Sequence, residues 1–359
     1  MPRAALADAW PAPQASHAPA PTGRELYARA CANCHGAEGR GGARTELAFE
    51  DPLPDFTDCN FATREPDSDW FPIVHEGGPA RAFGQMMPAF GGALTAEEIR
   101  LALGHVRSFC PDRAWPRGEL NLPRALVTEK AFPEDEIVLT SAAAVEGNGS
   151  VDSKFIYERR FGARNQIELI LPFSAHQAAS GEPWSGGVGD IALGAKRALY
   201  HDSSRGSIFS AAAEIILPTG DSDRGFGKGT TVFEPFVAFG QRFAGRSFLQ
   251  IQSGVEVPAD TAEAAREAFL RLAAGRSFVQ SRWGRTWSPM LEVVAARELV
   301  SGEPMHWDLV PQMQVTLSTR QHVMVNAGVR LPLNERDRST QVIVYMLWDW
   351  FDGPLLKGW

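Results

Sequence analysis

From about residue 136 to the C-terminus, apolar and polar side chains alternate with period two, broken at intervals by turn-forming residues. In Phe248–Val257, Leu249, Ile251, Val255 and Val257 share one face, and Gln250, Gln252, Gly254 and Glu256 share the other. Trp307, Leu309, Met313, Val315 and Leu317 oppose Asp308, Gln312, Gln314 and Thr316 in the same way. Val342, Val344, Met346, Trp348 and Trp350 repeat the apolar face near the end. Period-two alternation is the signature of strands with one apolar and one polar face. Twelve such segments fall near 137–146, 152–162, 165–175, 187–200, 206–218, 231–243, 247–257, 268–279, 286–299, 306–317, 321–332 and 340–351. The eighth is the weakest, because Glu263–Arg271 has a composition that also suits a helix.

Two architectures fit this pattern: a water-soluble β-sandwich with the apolar face inside, or a membrane barrel with that face outside. An even strand number favours the barrel, and so do the connections. Gly162-Ala163-Arg164, Ala244-Gly245-Arg246 and Thr319-Arg320 are short, whereas His176–Gly186 and Thr219–Thr230 are long, polar and glycine-rich. Short turns at one end and long loops at the other are typical of outer-membrane barrels.

Residues 22–110 follow a helical pattern instead. Thr22 can cap a helix starting near Gly23, and Thr95 followed by Glu98 forms a capping box for a helix reaching about Phe109. Between them stand Cys31-Ala32-Asn33-Cys34-His35 and Met86-Met87-Pro88-Ala89-Phe90. Cys-x-x-Cys-His is the attachment pattern of a c-type haem, with the cysteines as thioethers and the histidine as proximal ligand. A redox dithiol or half of a zinc site is the competing reading, but the chain lacks a second Cys/His pair at zinc spacing. Cys59 and Cys110 remain over. In an oxidising compartment they point to a disulfide, with two buried thiols as the alternative.

An N-terminal helix, Cys-x-x-Cys-His, a Met-Pro-x-Phe loop and a C-terminal helix opening Leu94-Thr95-Ala96-Glu97-Glu98-Ile99 together resemble class I cytochrome c. The resemblance implies one covalently attached haem c held by Cys31 and Cys34. It makes His35 the proximal ligand and Met87, directly before Pro88, the distal one. Met86 is the rival distal ligand, and His75 and His105 are remoter candidates. A His/Met pair leaves no open iron position and suits electron transfer, so this part reads as an electron carrier more than a classical enzyme.

Farther on, Gly187-Val188-Gly189-Asp190-Ile191-Ala192-Leu193-Gly194-Ala195-Lys196 and Ile216-Leu217-Pro218-Thr219-Gly220-Asp221 are similar to the phenol-degradation (MetA-pathway) outer-membrane transporter family. That resemblance implies a barrel for small-molecule transport. A haem domain ahead of a barrel also resembles the fused cytochrome–porins of iron-oxidising bacteria.

The expected architecture is therefore a small all-α cytochrome c domain followed by an antiparallel transmembrane β-barrel of about twelve strands. Its parts are a tether or signal remnant at 1–21, the haem domain at 22–110, a Pro-rich strap at 111–135 and the barrel at 136–359. Met1–Gly23 lacks the apolar core of a secretory signal, although Ala5-Leu6-Ala7 looks like the end of one. In the strap, Pro111, Pro116, Pro123 and Pro133 exclude a long regular element, and Trp115, Leu120, Leu122, Leu126, Val127 and Phe132 are too apolar for a free tether.

The formal net charge of −8 argues against nucleic acid. Residues 22–110 carry eight Arg, no Lys and thirteen Asp or Glu, a balance that attracts basic periplasmic redox partners. The expected place is the outer membrane of a Gram-negative bacterium, with the cytochrome docked at the periplasmic mouth. Inward Glu234, Glu256, Glu292 and Asp308 would line a path for ions or a soluble reductant, or hold metal ions. The expected role is passage of single electrons at or across the membrane. The alternatives are a small-molecule channel whose cytochrome senses redox state or plugs the mouth, and a soluble periplasmic carrier.

Overall fold

The computed structural model describes residues 20–42, 53–280, 282, 284–334, 338–356 and 358. The expected signal remnant lies almost wholly outside them. The helical part consists of α1 (Gly23–Ala30), α2 (Ala32–His35), α3 (Cys59–Ala62), α4 (Asp67–Glu76) and α5 (Ala96–Ser108). Both anticipated caps form. Thr95 accepts from the Glu98 N–H at 3.2 Å, and the Glu98 carboxylate accepts from the Thr95 N–H at 2.8 Å. Thr22 and Glu25 repeat the arrangement at α1. The helices cross where α1 has no side chain: a Cβ on Gly23 would meet the Leu101 carbonyl oxygen at 2.1 Å. Tyr27, Phe56, Trp70, Ile99, Leu103 and Val106 form the core of this domain.

The second part is a closed antiparallel barrel of twelve strands. They are β1 (Glu136–Ala144), β2 (Ser150–Phe161), β3 (Asn165–Gln177), β4 (Ile191–Asp202), β5 (Ser207–Leu217), β6 (Val232–Arg242), β7 (Ser247–Pro258), β8 (Glu267–Arg276), β9 (Thr286–Glu298), β10 (His306–Thr316), β11 (Val323–Pro332) and β12 (Gln341–Asp349). Short pieces at Trp184–Val188 and Phe278–Val279 extend the edges of β3 and β9. β12 pairs with β1, Asp349 opposite Glu136 and Gln341 opposite Ala144, and this removes every free edge. The eighth segment is a strand, because only an extended chain can bridge β7 and β9 on both sides.

The apolar face points outward. Ile167, Leu193, Phe233, Leu291, Met313 and Val344 are exposed, while Gln250, Gln252, Glu292, Asp308, Gln312 and Asn326 are buried inside. A soluble sandwich would show the reverse, so the outer wall is made for hydrocarbon. No helix among the described residues is long and apolar enough to cross a membrane, and the crossing falls to the strands.

The lumen holds the strap, a placement the sequence pattern did not define. Leaving the haem domain, the chain enters at the end of the short turns, reaches about the middle of the barrel and returns to the same end to begin β1. Apolar residues pack on the way: Leu120, Ala131 and Phe132 against Ala198, Ile208 and Ala238, and Leu122 and Ala125 against Phe248, Ala273 and Met290. Irregular backbone in a closed space must find partners, and wall side chains provide them. Glu292 on β9 accepts from the N–H groups of Leu126, Val127 and Thr128 at 2.7–3.3 Å, and from the Thr128 hydroxyl at 2.7 Å. Gln252 accepts from the Glu129 N–H, and Gln166 from that of Glu134. Gln250 donates to the Pro123 carbonyl and Lys196 to that of Lys130. Tyr345 and Asn326 both donate to the Arg124 carbonyl, at 2.6 and 3.3 Å. The Arg124 guanidinium reaches Glu129, Glu136 and Glu158 at 3.0–3.3 Å.

Such contacts involve three of the residues expected to line a path, Glu234, Glu256, Glu292 and Asp308, with Glu234 the exception. Glu292 is spent on the strap, Asp308 is paired with Arg330 and Arg338, and Glu256 with Lys228.

The caps yield a pH prediction. Hydrogen bonds from the Thr22 and Thr95 backbone and hydroxyl groups hold the Glu25 and Glu98 carboxyls below their ordinary 4.5. A depressed folded-state value gives stability that is complete above the ordinary value and lost as acid titrates the folded carboxyl. Glu98→Gln is therefore expected to lower the urea midpoint of the helical domain at neutral pH, with the difference from wild type closing as pH falls below 4.5. A difference that stays constant with pH would contradict this account of the cap.

Candidate functional site

Cys31 closes α1 and opens α2, so the two cysteines and the histidine lie on one tight turn: the N–H groups of Cys34 and His35 both bond the Cys31 carbonyl, at 3.2 and 2.9 Å. The following loop folds back onto that turn. Gly41 N–H donates to the His35 carbonyl and Gly42 N–H to that of Cys34, each at 2.8 Å. Tyr27, buried in the core, donates its hydroxyl to the Gly36 carbonyl at 2.7 Å and fixes the exit of the turn. Burial and the neighbouring Cys31 push its phenol up to about 12.

Cys59 and Cys110 are bonded, with Cα atoms 5.2 Å apart, and so α3 is tied to the end of α5. Cys31 and Cys34 are the free cysteines among the described residues. Burial, and the adjacent Cys34, push the Cys31 thiol up to about 11. His35 packs its ring on Phe56, centroids 5.1 Å apart, and burial holds the imidazole below its ordinary 6.5. Its Nδ1 is buried without a hydrogen-bond partner. A neutral, buried imidazole with spare bonding capacity beside two unpaired thiols fits a covalently attached haem: Cys31 and Cys34 would hold it, and His35 would ligate its iron.

The methionines differ in setting. Met86 is 65% exposed, whereas Met87 is half-buried and lies against Gly77 and Gly78. A Cβ on Gly77, whose φ is +87°, would meet the Met87 carbonyl oxygen at 2.9 Å, so the close approach depends on glycine there. His75 has both ring nitrogens engaged. Arg282 donates to Nε2 at 3.1 Å, which leaves Nδ1–H to donate to Glu76 at 2.8 Å. His105 lies edge-on to Tyr27 and Phe109 in the α1–α5 contact.

Residues 18–106 match the family model described as cytochrome c oxidase, cbb3-type, subunit III. They form a cytochrome c domain. No curated protein matches the chain. Among solved structures, the chain is similar to an outer membrane channel from Pseudomonas putida F1, at 10% identity and a TM-score of 0.43, over 59% of this chain and 93% of that one. It is also similar to the KdgM porin, at 12% identity and TM-score 0.39, over 59% and 98%. The likeness to the NanC porin has 8% identity and TM-score 0.41, over 59% and 98%.

The cytochrome domain sits on the barrel end that carries the short turns and the C-terminal segment. Arg64 lies over the Phe351 ring at 3.9 Å and is ion-paired with Asp135. Arg164 and His201 both bond the Ala114 carbonyl, at 3.0 and 3.2 Å. Arg320, in the β10–β11 turn, donates to the Ala82 carbonyl at 3.2 Å and stacks on Phe83 at 4.3 Å. None of these arginines stands out in the sequence, because each partner is remote along the chain; Arg282 and His75 are 207 positions apart.

One prediction concerns the haem turn. Tyr27→Phe removes the bond to the Gly36 carbonyl and is expected to cost the cytochrome domain about 1 kcal/mol. Urea unfolding followed by haem absorbance measures it, and an unchanged midpoint would show that the hydroxyl does not support the turn.

Proposed function

We propose that the protein is a haem c electron-transfer protein of the outer membrane, in which a barrel closed by its own strap holds a one-haem domain at the periplasmic mouth. The observation that carries the reading is the strap-filled lumen beside a docked cytochrome domain. The haem motif occurs once and lies at one end of a wall whose hydrocarbon zone is about 30 Å thick. Electrons are then exchanged at that mouth and not carried through the wall, and the barrel serves as anchor. The surface of the domain supports acceptance of basic periplasmic partners. Three of its arginines, Arg64, Arg81 and Arg107, are buried, so the face left to solvent is more acidic than the composition alone implies. His35 and Met87 would hold the iron between them, and the haem supplies one-electron chemistry when bound. The protein's part is to fix both ligands and keep the iron closed to other chemistry.

The second reading is a small-molecule channel with the cytochrome at its mouth. It draws on the polar contact between strap and wall, where many hydrogen bonds could be exchanged for water. The two readings part in planar bilayers. The intact holoprotein is expected to leave the membrane non-conducting while its haem is reduced from the domain side by a membrane-impermeant reductant. Arg124→Ala leaves Glu158 buried without its ion-pair partner, while Glu136 keeps Lys130; this is a loss of about 3–5 kcal/mol at the strap and is expected to produce open events. Steady conductance from the intact protein would favour the channel. A haem reduced equally well from either side would overturn the anchored-carrier reading.

A further inference from the structure

The loop that carries Met87 is gripped from outside by the barrel. Residues 74–78 and 87–91 run side by side, with Phe90 N–H on the Val74 carbonyl at 3.0 Å, Gly91 N–H on that of His75 at 2.9 Å, and Gly78 N–H on that of Met87 at 3.0 Å. Phe83 N–H closes the far arm onto the Gly78 carbonyl at 3.0 Å. Movement of either arm is thereby transmitted to Met87 through the Gly77-Gly78 backbone, against which Met87 and Ala89 pack without intervening side chains. The barrel touches both arms. Arg282, in the β8–β9 turn, holds His75 at 3.1 Å and lies 3.9 Å from Glu76. Arg320 holds Ala82 and covers Phe83.

We propose that Arg282 and Arg320 are positioning residues for the distal ligand: the barrel turns clamp the 74–91 loop and hold Met87 in place, so that the ligation state of the haem depends on docking. This rests on the reading of Met87 as the axial ligand. A cytochrome domain folding alone would need no outside support for its methionine loop. Here both contacts are arginine to the loop's own backbone, imidazole or ring, and both come from neighbouring turns of one barrel end. A guanidinium supplies a planar fork and a stacking face, so the clamp fixes orientation as well as distance. A partner that displaces the domain from the barrel would release the loop and open the iron to outside ligands.

The test uses the full-length, haem-loaded protein in detergent and measures the rate of cyanide binding to the ferric haem by the Soret shift. Cyanide must displace the distal ligand, so the rate reports how firmly Met87 is held. The Arg282→Ala/Arg320→Ala double variant is expected to bind cyanide about tenfold faster than wild type, with each single variant giving part of the effect. Met87→Ala is expected to bind faster still, and Met86→Ala at the wild-type rate. Arg164→Ala breaks a strap–barrel contact next to the domain and away from the loop, and is expected to leave the rate unchanged. Wild-type rates in the double variant, with fast binding in Met87→Ala, would overturn the clamp and leave the ligand reading intact. A wild-type rate in Met87→Ala would remove the ligand reading and the clamp with it. Equal acceleration by Arg164→Ala would show loosening of the whole interface and overturn the assignment to these two arginines.

Discussion

The structure depends on one requirement: irregular backbone enclosed in a barrel has to be hydrogen-bonded by something other than water. The strap between the haem domain and β1 meets it with the side chains of the wall. Glu292 takes three consecutive N–H groups, and Gln166, Gln250, Gln252, Lys196, Tyr345 and Asn326 take further N–H or carbonyl groups. The inward faces of the strands are thus polar for the strap's sake as much as for a passing solute. The charge in the lumen follows the same logic. Arg124 is carried in by the strap, and Glu158 on the wall would be a costly buried anion without it.

The barrel was legible from sequence because its outward face is apolar in strand after strand. Leu249, Ile251, Val342 and Val344 look outward and their neighbours inward, and period two survives even in Glu267–Arg276, where composition suggested a helix. The capping threonines were legible for a similar reason, since a cap is local: Thr95 and Glu98 are three positions apart and need no distant partner. The strap's location was not legible. A lumen lined by Gln, Glu and Asn reads the same whether water or backbone fills it, and the contacts that decide the matter join residues 32–221 positions apart. Apolar residues such as Leu120 and Phe132 signalled that the strap packs on something, but not on what.

The seat of the cytochrome domain was hidden on the same ground. Arg64, Arg282 and Arg320 occupy short connections where an exposed arginine is ordinary, and their partners are a ring, an imidazole and a carbonyl. The haem motif announces itself through five adjacent residues. The residues that seat the domain on the barrel are distributed over both parts of the chain, and only the fold brings them together.

The strap enters and leaves the barrel by the same mouth, and this has a consequence for biogenesis. A segment that crossed the lumen from end to end would oblige the barrel to close around it, with a finished haem domain on one side and the strands on the other. A re-entrant segment sets no such order. The cytochrome part can fold while the strands are still unfolded, and the strap can enter before or after the ring closes. Folding of the helical part and closure of the ring are thereby topologically independent, although both belong to one polypeptide.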